Sequence, residues 1–320
     1  MGRYIIKRLL ITIPTILCVT ILVFSLLYIT PGDPAEMILG SSATEEQLES
    51  YREYLGLNRP FLVQLGDYLY RLFIKFDLGE SWIYASKITD EIATRLPITF
   101  AISMYSILIA VVTGIPMGIY AAVKQNGHFD RFVLVITSVL HCVPNYVFAM
   151  IFIMVFALQL NWLPAYGIGS LKHYILPCLC ILITNFGSMA RSMRTSMLEV
   201  IRSDYVMSAR AQGYNKNVVY FLHALPNAMI PIITQLGGRF AGAMGGTLIL
   251  ETIFSIPGMG LYIQGAISKR DIPIVLGTVV FLAIWFCLVM LLVDVLYAVM
   301  DPRIKAQYVE KGRKKRRRNA

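Results

Sequence analysis

Residues 203–231, SDYVMSARAQGYNKNVVYFLHALPNAMIP, are polar and charged, yet long apolar runs lie on both sides of them. Ser203 followed by Asp204 has the signature of a helix start: a side-chain acceptor before the first turn, then an acid at the positive end of the aligned peptide dipoles. A helix over residues 204–212 would be a rod of about 14 Å. Gly213 is placed to take the left-handed conformation that closes it. Asn217 is predicted to cap a second helix, which Pro226 interrupts. Tyr205 and Ala209 share a face at a spacing of four. Ser208, Ala209 and Ala211 are small, so another surface can come close. A solvated linker needs no such punctuation. The stretch reads as a short rigid element between two membrane segments, suited to receiving a push.

The flanking runs set the class. The chain is 57% hydrophobic and 15% charged, with mean hydropathy +0.63, against roughly half apolar and a quarter charged in soluble domains. Six runs, 9–29, 98–123, 132–158, 174–190, 228–250 and 274–299, approach the ~20 apolar residues that carry a helix across a bilayer. The fourth is short and is expected to continue toward Arg191. Lipid leaves no partner for an open backbone group, so these runs are predicted to be helices. The expectation is an all-α integral membrane protein of six spans: a short N-terminus at 1–8, one membrane domain over 9–299, and a basic tail at 300–320. The first run exceeds a signal-peptide core and precedes Thr30-Pro31-Gly32-Asp33-Pro34 without a small-residue cleavage site, so it is expected to stay as an anchor. Pro116, Pro144 and Pro177 lie inside runs and are expected to kink them.

Charge orients the spans. The N-terminus, 124–131, 191–227 and 300–320 together hold 19 Lys and Arg against 5 acids. The opposite segments, 30–97, 159–173 and 252–273, hold 9 against 12. Short cytoplasmic loops are rich in Lys and Arg, so both termini are expected in the cytoplasm. The net charge of +10 is mostly this asymmetry and gives no reason to expect nucleic-acid binding. The run 311–318 contains seven basic residues, which suits either anionic lipid head groups or a solvated tail.

The extracytoplasmic segment 30–97 has the capping-box pattern Thr44-Glu45-Glu46-Gln47. It predicts a helix running to Leu55 and stopped by Gly56. Pro60 is expected to open a second helix whose Leu62, Leu65, Leu69 and Leu72 share a face. The segment is acidic by five. It is either a solvated cap or a docking surface for an extracytoplasmic partner.

Catalytic signals are missing: there is no phosphate-binding G-x-x-x-x-G-K-[ST], no H-E-x-x-H and no G-x-S-x-G. His128, His141, His173 and His223 are scattered. Cys18, Cys142, Cys178, Cys180 and Cys287 all fall within apolar runs, where thiols behave as small apolar groups. Cys178 and Cys180 point to different helix faces, and no metal site is expected. Small residues recur at a spacing of four, at Gly114, Gly118 and Ala122 and again at Gly238, Gly242 and Gly246. Such ridges serve tight internal packing, a subunit interface or a pore lining. Arg239 sits among the second set, near the middle of its run. A charge there costs at least ~2.5–3.5 kcal/mol and is expected to face protein or water. Either it contacts a neighbouring helix, or it lines a path with Gly242 and Gly246 and meets a carboxylate.

The opening stretch resembles the EAA loop of ABC-importer permeases. Ala209, Gly213, Leu225 and Pro226 fall on the family frame, while Met207 and Ser208 replace its Glu and first Ala. Further fragments are similar to the dipeptide/oligopeptide group, in order along nearly the whole chain: Thr30-Pro31-Gly32-Asp33-Pro34, Leu55-Gly56-Leu57-Asn58-Arg59-Pro60, Asp77-Leu78-Gly79-Glu80-Ser81, Met197-Leu198-Glu199-Val200, Asp204-Tyr205-Val206, Glu251-Thr252-Ile253-Phe254-Ser255-Ile256-Pro257-Gly258, Asp294 with Tyr297, and Asp301-Pro302-Arg303. The resemblance implies a type I permease, the first of two non-identical permease subunits, in a bacterial cytoplasmic (inner) membrane. It implies as partners a second permease, two cytoplasmic ATPases and an extracytoplasmic peptide-binding protein, besides membrane lipids. Ser203, Asp204, Tyr205, Ser208, Ala209, Arg210, Gly213, Leu225 and Pro226, within a cytoplasmic coupling loop at 191–227, would meet an ATPase. The chain would bind no cofactor; ATP and Mg would belong to the partner ATPases. Nickel or nickel-chelate permeases look alike, so the cargo stays open between peptide and metal chelate. A scaffold or signalling membrane protein is the alternative from another class.

Overall fold

The computed structural model describes residues 2–40 and 42–300, apart from the side chains of 2–9, 243, 244, 246 and 296–300. Asp301-Pro302-Arg303 and the basic run 311–318 lie outside the described residues. Every regular element described is helical, and one isolated antiparallel bridge joins Glu80 to Lys87. Five helices are long and apolar enough to cross a membrane: Leu10–Ile29, Ile88–Val123, Lys172–Ile201, Lys216–Gly242 and Ile272–Val295. A sixth span arises if the bent pair His128–Cys142 and Asn145–Gln159 counts as one. The chain divides into two compact units.

One unit comprises Leu9–Phe100 and Met244–Cys287. It holds most of α1 (Gly2–Ile29), then α2 (Pro34–Leu39), α3 (Glu45–Leu55) and α4 (Phe61–Ile74). The capping box of α3 forms in full: Gln47 N–H donates to Thr44 Oγ1 at 3.4 Å, and Thr44 N–H donates to Gln47 Oε1 at 2.9 Å. Gly56 ends α3 in the left-handed conformation at φ 73°. Asp33, from the Thr30–Pro34 motif, caps α2 by accepting from Ala35 N–H at 2.9 Å and binds Arg52 of α3 at 2.7 Å. Arg52 also binds Glu45 and Glu49, and the carboxylates together push its pKa up.

In α4 the buried stripe is Leu65, Tyr68 and Leu72, while Leu62 is 76% exposed. The expected leucine face fails in its first turn because Phe61 makes the contact there. Its ring lies 5.7 Å from Phe24 and 5.0 Å from Tyr28, both on α1. Pro60 precedes α4 as its cap and is not its first residue. The core of this unit joins α4 to Ile16 and Phe24 of α1, Ile88 and Ile92 at the start of α5 (Ile88–Val123), and Met259 and Tyr262 of α13 (Met259–Lys269). The helix of the second apolar run thus begins ten residues earlier than expected.

Two buried carboxylates organise the rest of this unit. Asp271, at the start of α14 (Ile272–Met300), accepts from Ser81 Oγ at 2.5 Å and from the N–H groups of Trp82 and Ile83 at 3.3 Å. It pins the loop after Asp77-Leu78-Gly79. Glu251, in α12 (Leu248–Ile253), is fully buried. Its Oε1 accepts from Thr99 at 2.7 Å and Thr247 at 2.8 Å; its Oε2 accepts from the N–H groups of Gly260 at 2.7 Å and Leu261 at 3.2 Å. The carboxylate therefore sits at the positive end of α13, satisfying donors that a helix start leaves open. A side chain on Gly258 would press on this carboxylate and on Thr99 Oγ1 at 2.5 Å. That contact explains why position 258 of this motif is glycine.

The other unit comprises Ala101–Ala243 with both chain ends. It contains α6 (His128–Cys142), α7 (Asn145–Phe152) with the π-helical segment Ile153–Gln159, α8 (Lys172–Ile201), α9 (Asp204–Ala211), α10 (Lys216–Val218), a second π-helical segment Val219–Ala224, and α11 (Leu225–Gly246). The third apolar run is not one kinked rod. It breaks by 89° at Val143 and Pro144, where Val143 adopts extended backbone because proline disfavours helix in the residue before it. The fourth run continues past Arg191 to Ile201. The fifth stops at Gly246, and α12 starts afresh at Leu248.

α5 and α8 meet through the first glycine ridge. A Cβ on Gly118 would lie 2.5 Å from Ala190 O and 2.7 Å from Met193 Cβ, and one on Gly114 would lie 3.1 Å from Met189 Cβ. This ridge serves internal packing. α6 and α8 run antiparallel in close register. Gly187 faces Thr137, Arg191 donates to Thr137 O at 2.6 Å, and Arg194 binds Asp130.

Candidate coupling site

α9 stands between α8 and α11, as Ser203-Asp204 and Gly213 predict. It ends at Ala211, one residue early. Gly213 has φ +84°, with open space where a side chain would go. Ser203 has the extended backbone of a cap, and its carbonyl accepts from Met207 N–H at 3.0 Å. Its hydroxyl does not cap, however; it donates to Val200 O at 2.6 Å, binding the turn back to α8. Ser208 Oγ donates to Asp204 O at 2.9 Å within the helix.

The inward face of α9 is Val206 and Ala209, both buried. Val206 joins a cluster with Met193 and Met197 of α8, Ile119 and Ala122 of α5, Val219 and Ala224 of the π-helical segment, and Ala228 and Ile232 of α11. Leu225 packs against this cluster. Tyr205, Met207, Ser208, Arg210, Ala211 and Gly213 are exposed. The expected face pairing Tyr205 with Ala209 is therefore split: Ala209 roots the helix and Tyr205 looks outward. Tyr205 Oη accepts from Asn227 Nδ2 at 2.7 Å and donates to His223 O at 3.4 Å, tying α9 to the base of α11. Arg210 lies over the Tyr220 ring at 5.5 Å.

The second cap is Asn215, not Asn217: Asn215 Oδ1 accepts from Asn217 N–H at 3.2 Å. Pro226 does not interrupt the second helix. It lies in the first turn of α11, directly after the π-helical segment. Helix thus runs from Lys216 to Gly246 without a break. Proline has no N–H to donate into a turn, and the wide turn of Val219–Ala224 precedes that gap.

The candidate path residues lie on α11. Arg239 is half-buried, and its Nη1 donates to Asn185 Oδ1 of α8 at 2.8 Å. Its Nε is buried without a hydrogen-bond partner. Side chains on Gly238, Gly242 or Gly245 would meet nothing within 4 Å. Gly246 closes the helix, and its surroundings lie outside the described residues. The second ridge therefore packs on nothing described in the chain, unlike the first, although both have the same spacing.

Sequence reading missed the ion pair Asp130–Arg194. Asp130 is 1% exposed, and its Oδ2 accepts from Arg194 Nη2 at 2.8 Å and from Asn126 N–H at 2.9 Å. The partners are 64 residues apart, and no local pattern joins them.

The described chain is a set of apolar helices of spanning length, with the short exposed helix α9 between two of them. The chain belongs to the binding-protein-dependent transport system inner membrane components, as an ABC-importer permease of the peptide/oligopeptide group: the family match covers residues 114–306, and that family's N-terminal component matches residues 1–103. It is 37% identical over 313 residues to a protein of Brucella abortus (strain 2308) described as a candidate peptide transport system permease. It is 37% identical over 305 residues to the glutathione transport system permease protein GsiC of Escherichia coli (strain K12). Each match covers 95% of this chain and 99% of the relative. The fold is similar to that in an inward-facing structure of the MetNI methionine ABC transporter, with TM-score 0.54, 17% identity, and coverage of 66% of this chain and 96% of that one.

Proposed function

We propose that this chain imports peptides, glutathione-sized ones included, as one of two permease subunits driven by two cytoplasmic ATPases and supplied by an extracytoplasmic binding protein. The observation that carries this reading is α9: an exposed helix rooted by Val206 and Ala209, with a left-handed glycine at its end. ATP, with Mg, binds in the partner ATPases, and closure of that pair moves α9. The motion biases the spans between outward- and inward-open populations. Both termini face the cytoplasm, and the segment 30–97 faces the binding protein. Arg239 lines the translocation path with Gly242 and Gly246 and meets the peptide carboxylate through its planar, permanently charged fork.

The complex reconstituted in proteoliposomes tests this reading. Wild type takes up labelled glutathione or tripeptide on addition of ATP; uptake of nickel instead would reassign the cargo. Gly213→Val places a β-branched side chain at positive φ, at a cost of about 1–2 kcal/mol. It is expected to leave the spans inserted while stimulated ATP hydrolysis falls, and normal stimulation would remove Gly213 from the contact. Arg239→Gln slows uptake with assembly and hydrolysis retained; unchanged uptake kinetics would remove Arg239 from the path. In a cysteine-free background, single cysteines at Ser50 and Asn319 should be labelled from opposite sides. Labelling of both from outside would overturn the orientation.

A further inference from the structure

We infer that the buried pair Asp130–Arg194 is a positioning element for energy coupling: it makes α6 and α8 move as one body when α9 is displaced. The inference rests on the reading of α9 as the ATPase contact. α9 hangs directly from the end of α8, through Ser203 Oγ and Val200 O. Its Val206 lies in one buried cluster with Met193 and Met197 of the same helix. A displacement of α9 therefore reaches α8 directly, as it reaches α11 through Tyr205 and Asn227.

From α8 toward α6 the structure then offers a polar route onward within this unit. Arg194 follows Met193, and its guanidinium grips Asp130 in the first turn of α6 through both Nε and Nη2. Arg191, three residues earlier, donates to Thr137 O, and Gly187, four residues before that, lets Thr137 approach. Positions 187, 191 and 194 of α8 thus meet 137 and 130 of α6 along one antiparallel seam. Glycine at 187 removes the side chain that would hold the helices apart, so the seam has little room for sliding. Asp130 also accepts from Asn126 N–H, which includes the loop between α5 and α6 in the grip. On an adjoining face of α8, Gly118 lets α5 approach Ala190 and Met193.

A merely stabilising pair would be an inefficient choice here. Ions taken from water lose hydration that their mutual attraction often only offsets, and replacing a buried pair by well-packed apolar residues of similar volume is frequently neutral for stability. The geometry of a two-pronged guanidinium on a carboxylate does supply direction. It resists rotation as well as separation of the two helices, which a greasy contact does not.

The test uses the whole complex in proteoliposomes, with labelled glutathione and ATP as probes. Asp130→Asn alone leaves a largely buried, unneutralised Arg194 and is expected to lower the amount of assembled complex. The deciding variant is therefore Asp130→Asn/Arg194→Gln, which removes both charges and keeps a hydrogen-bonding amide at each position. We expect it to assemble and hydrolyse ATP, while glutathione taken up per ATP falls about fivefold or more. That ratio is insensitive to how much complex is present, so a loss of fold stability alone does not move it. An unchanged ratio overturns the inference. So does failure of the double variant to assemble, because the pair is then a folding element. Wild type and Gly213→Val are measured alongside: loss of stimulation in Gly213→Val with an unchanged ratio in the double variant defeats the pair alone, whereas normal stimulation in Gly213→Val defeats the coupling reading on which the pair depends.

Discussion

Replacing Glu251 with alanine is expected to destabilise the unit formed by Leu9–Phe100 and Met244–Cys287 by on the order of 3–5 kcal/mol. Four donors lose their acceptor at once: the hydroxyls of Thr99 and Thr247 and the N–H groups of Gly260 and Leu261. The site is fully buried, so water does not replace the lost bonds without opening it. Glu251→Gln should fall between wild type and alanine. Its amide oxygen can face Gly260 and Leu261 while its NH2 donates to the threonine hydroxyls, which accept as well as donate. Thermal unfolding of the purified chain in detergent checks the order. A glutamine variant as unstable as alanine would mean that the charge, and not the hydrogen-bond pattern, secures the start of α13.

The second large effect separates the two glycine ridges. Gly118→Val should push α5 off α8, because the new atoms meet the backbone oxygen of Ala190 and the stem of Met193. Overpacking of this kind costs typically ~1–3 kcal/mol, and backbone contacts have little freedom to yield. Gly242→Val meets open space and should leave the isolated chain as stable as wild type. Detergent stability of the two variants, measured on this subunit alone, reads the difference. Equal losses would mean that the α11 ridge is buried within this chain after all.

That contrast also shows what a sequence can carry. Gly114–Gly118 and Gly238–Gly242 are the same pattern, and nothing local tells which one has a neighbour. Features set within a few residues were legible: the Thr44–Gln47 box, the Gly56 stop, the start of α9 and the positive φ of Gly213. Pro144 marked a weak point but not a break of 89°, since the angle depends on how α6 and α7 each pack. In α4 the leucine spacing was right, but the choice between Leu62 and Phe61 was made by the aromatic rings of α1. Glu251 was visible as part of a recurring fragment, and its role was not, because Thr99 lies 152 residues away. Asp130 and Arg194 were invisible for the same reason. Ala209 sat on the family frame, but a frame does not say which side of a helix faces home.

The wide turn at Val219–Ala224 acts on everything downstream of it. Such a turn bonds each N–H five residues back, not four, so it accommodates an extra residue without lengthening the rod as an ordinary turn would. One residue is worth about 100° of rotation around a helix. The bearing of Gly238, Arg239 and Gly242 is therefore set by counting from Asn215, and the grip of Tyr205 on Asn227 depends on the same count. A chimera that exchanged residues 203–218 for those of another permease would keep this bearing only if the surplus residue stayed with α11. A junction one residue longer or shorter would turn the glycine ridge to a different azimuth, with every side chain of the span unchanged in identity.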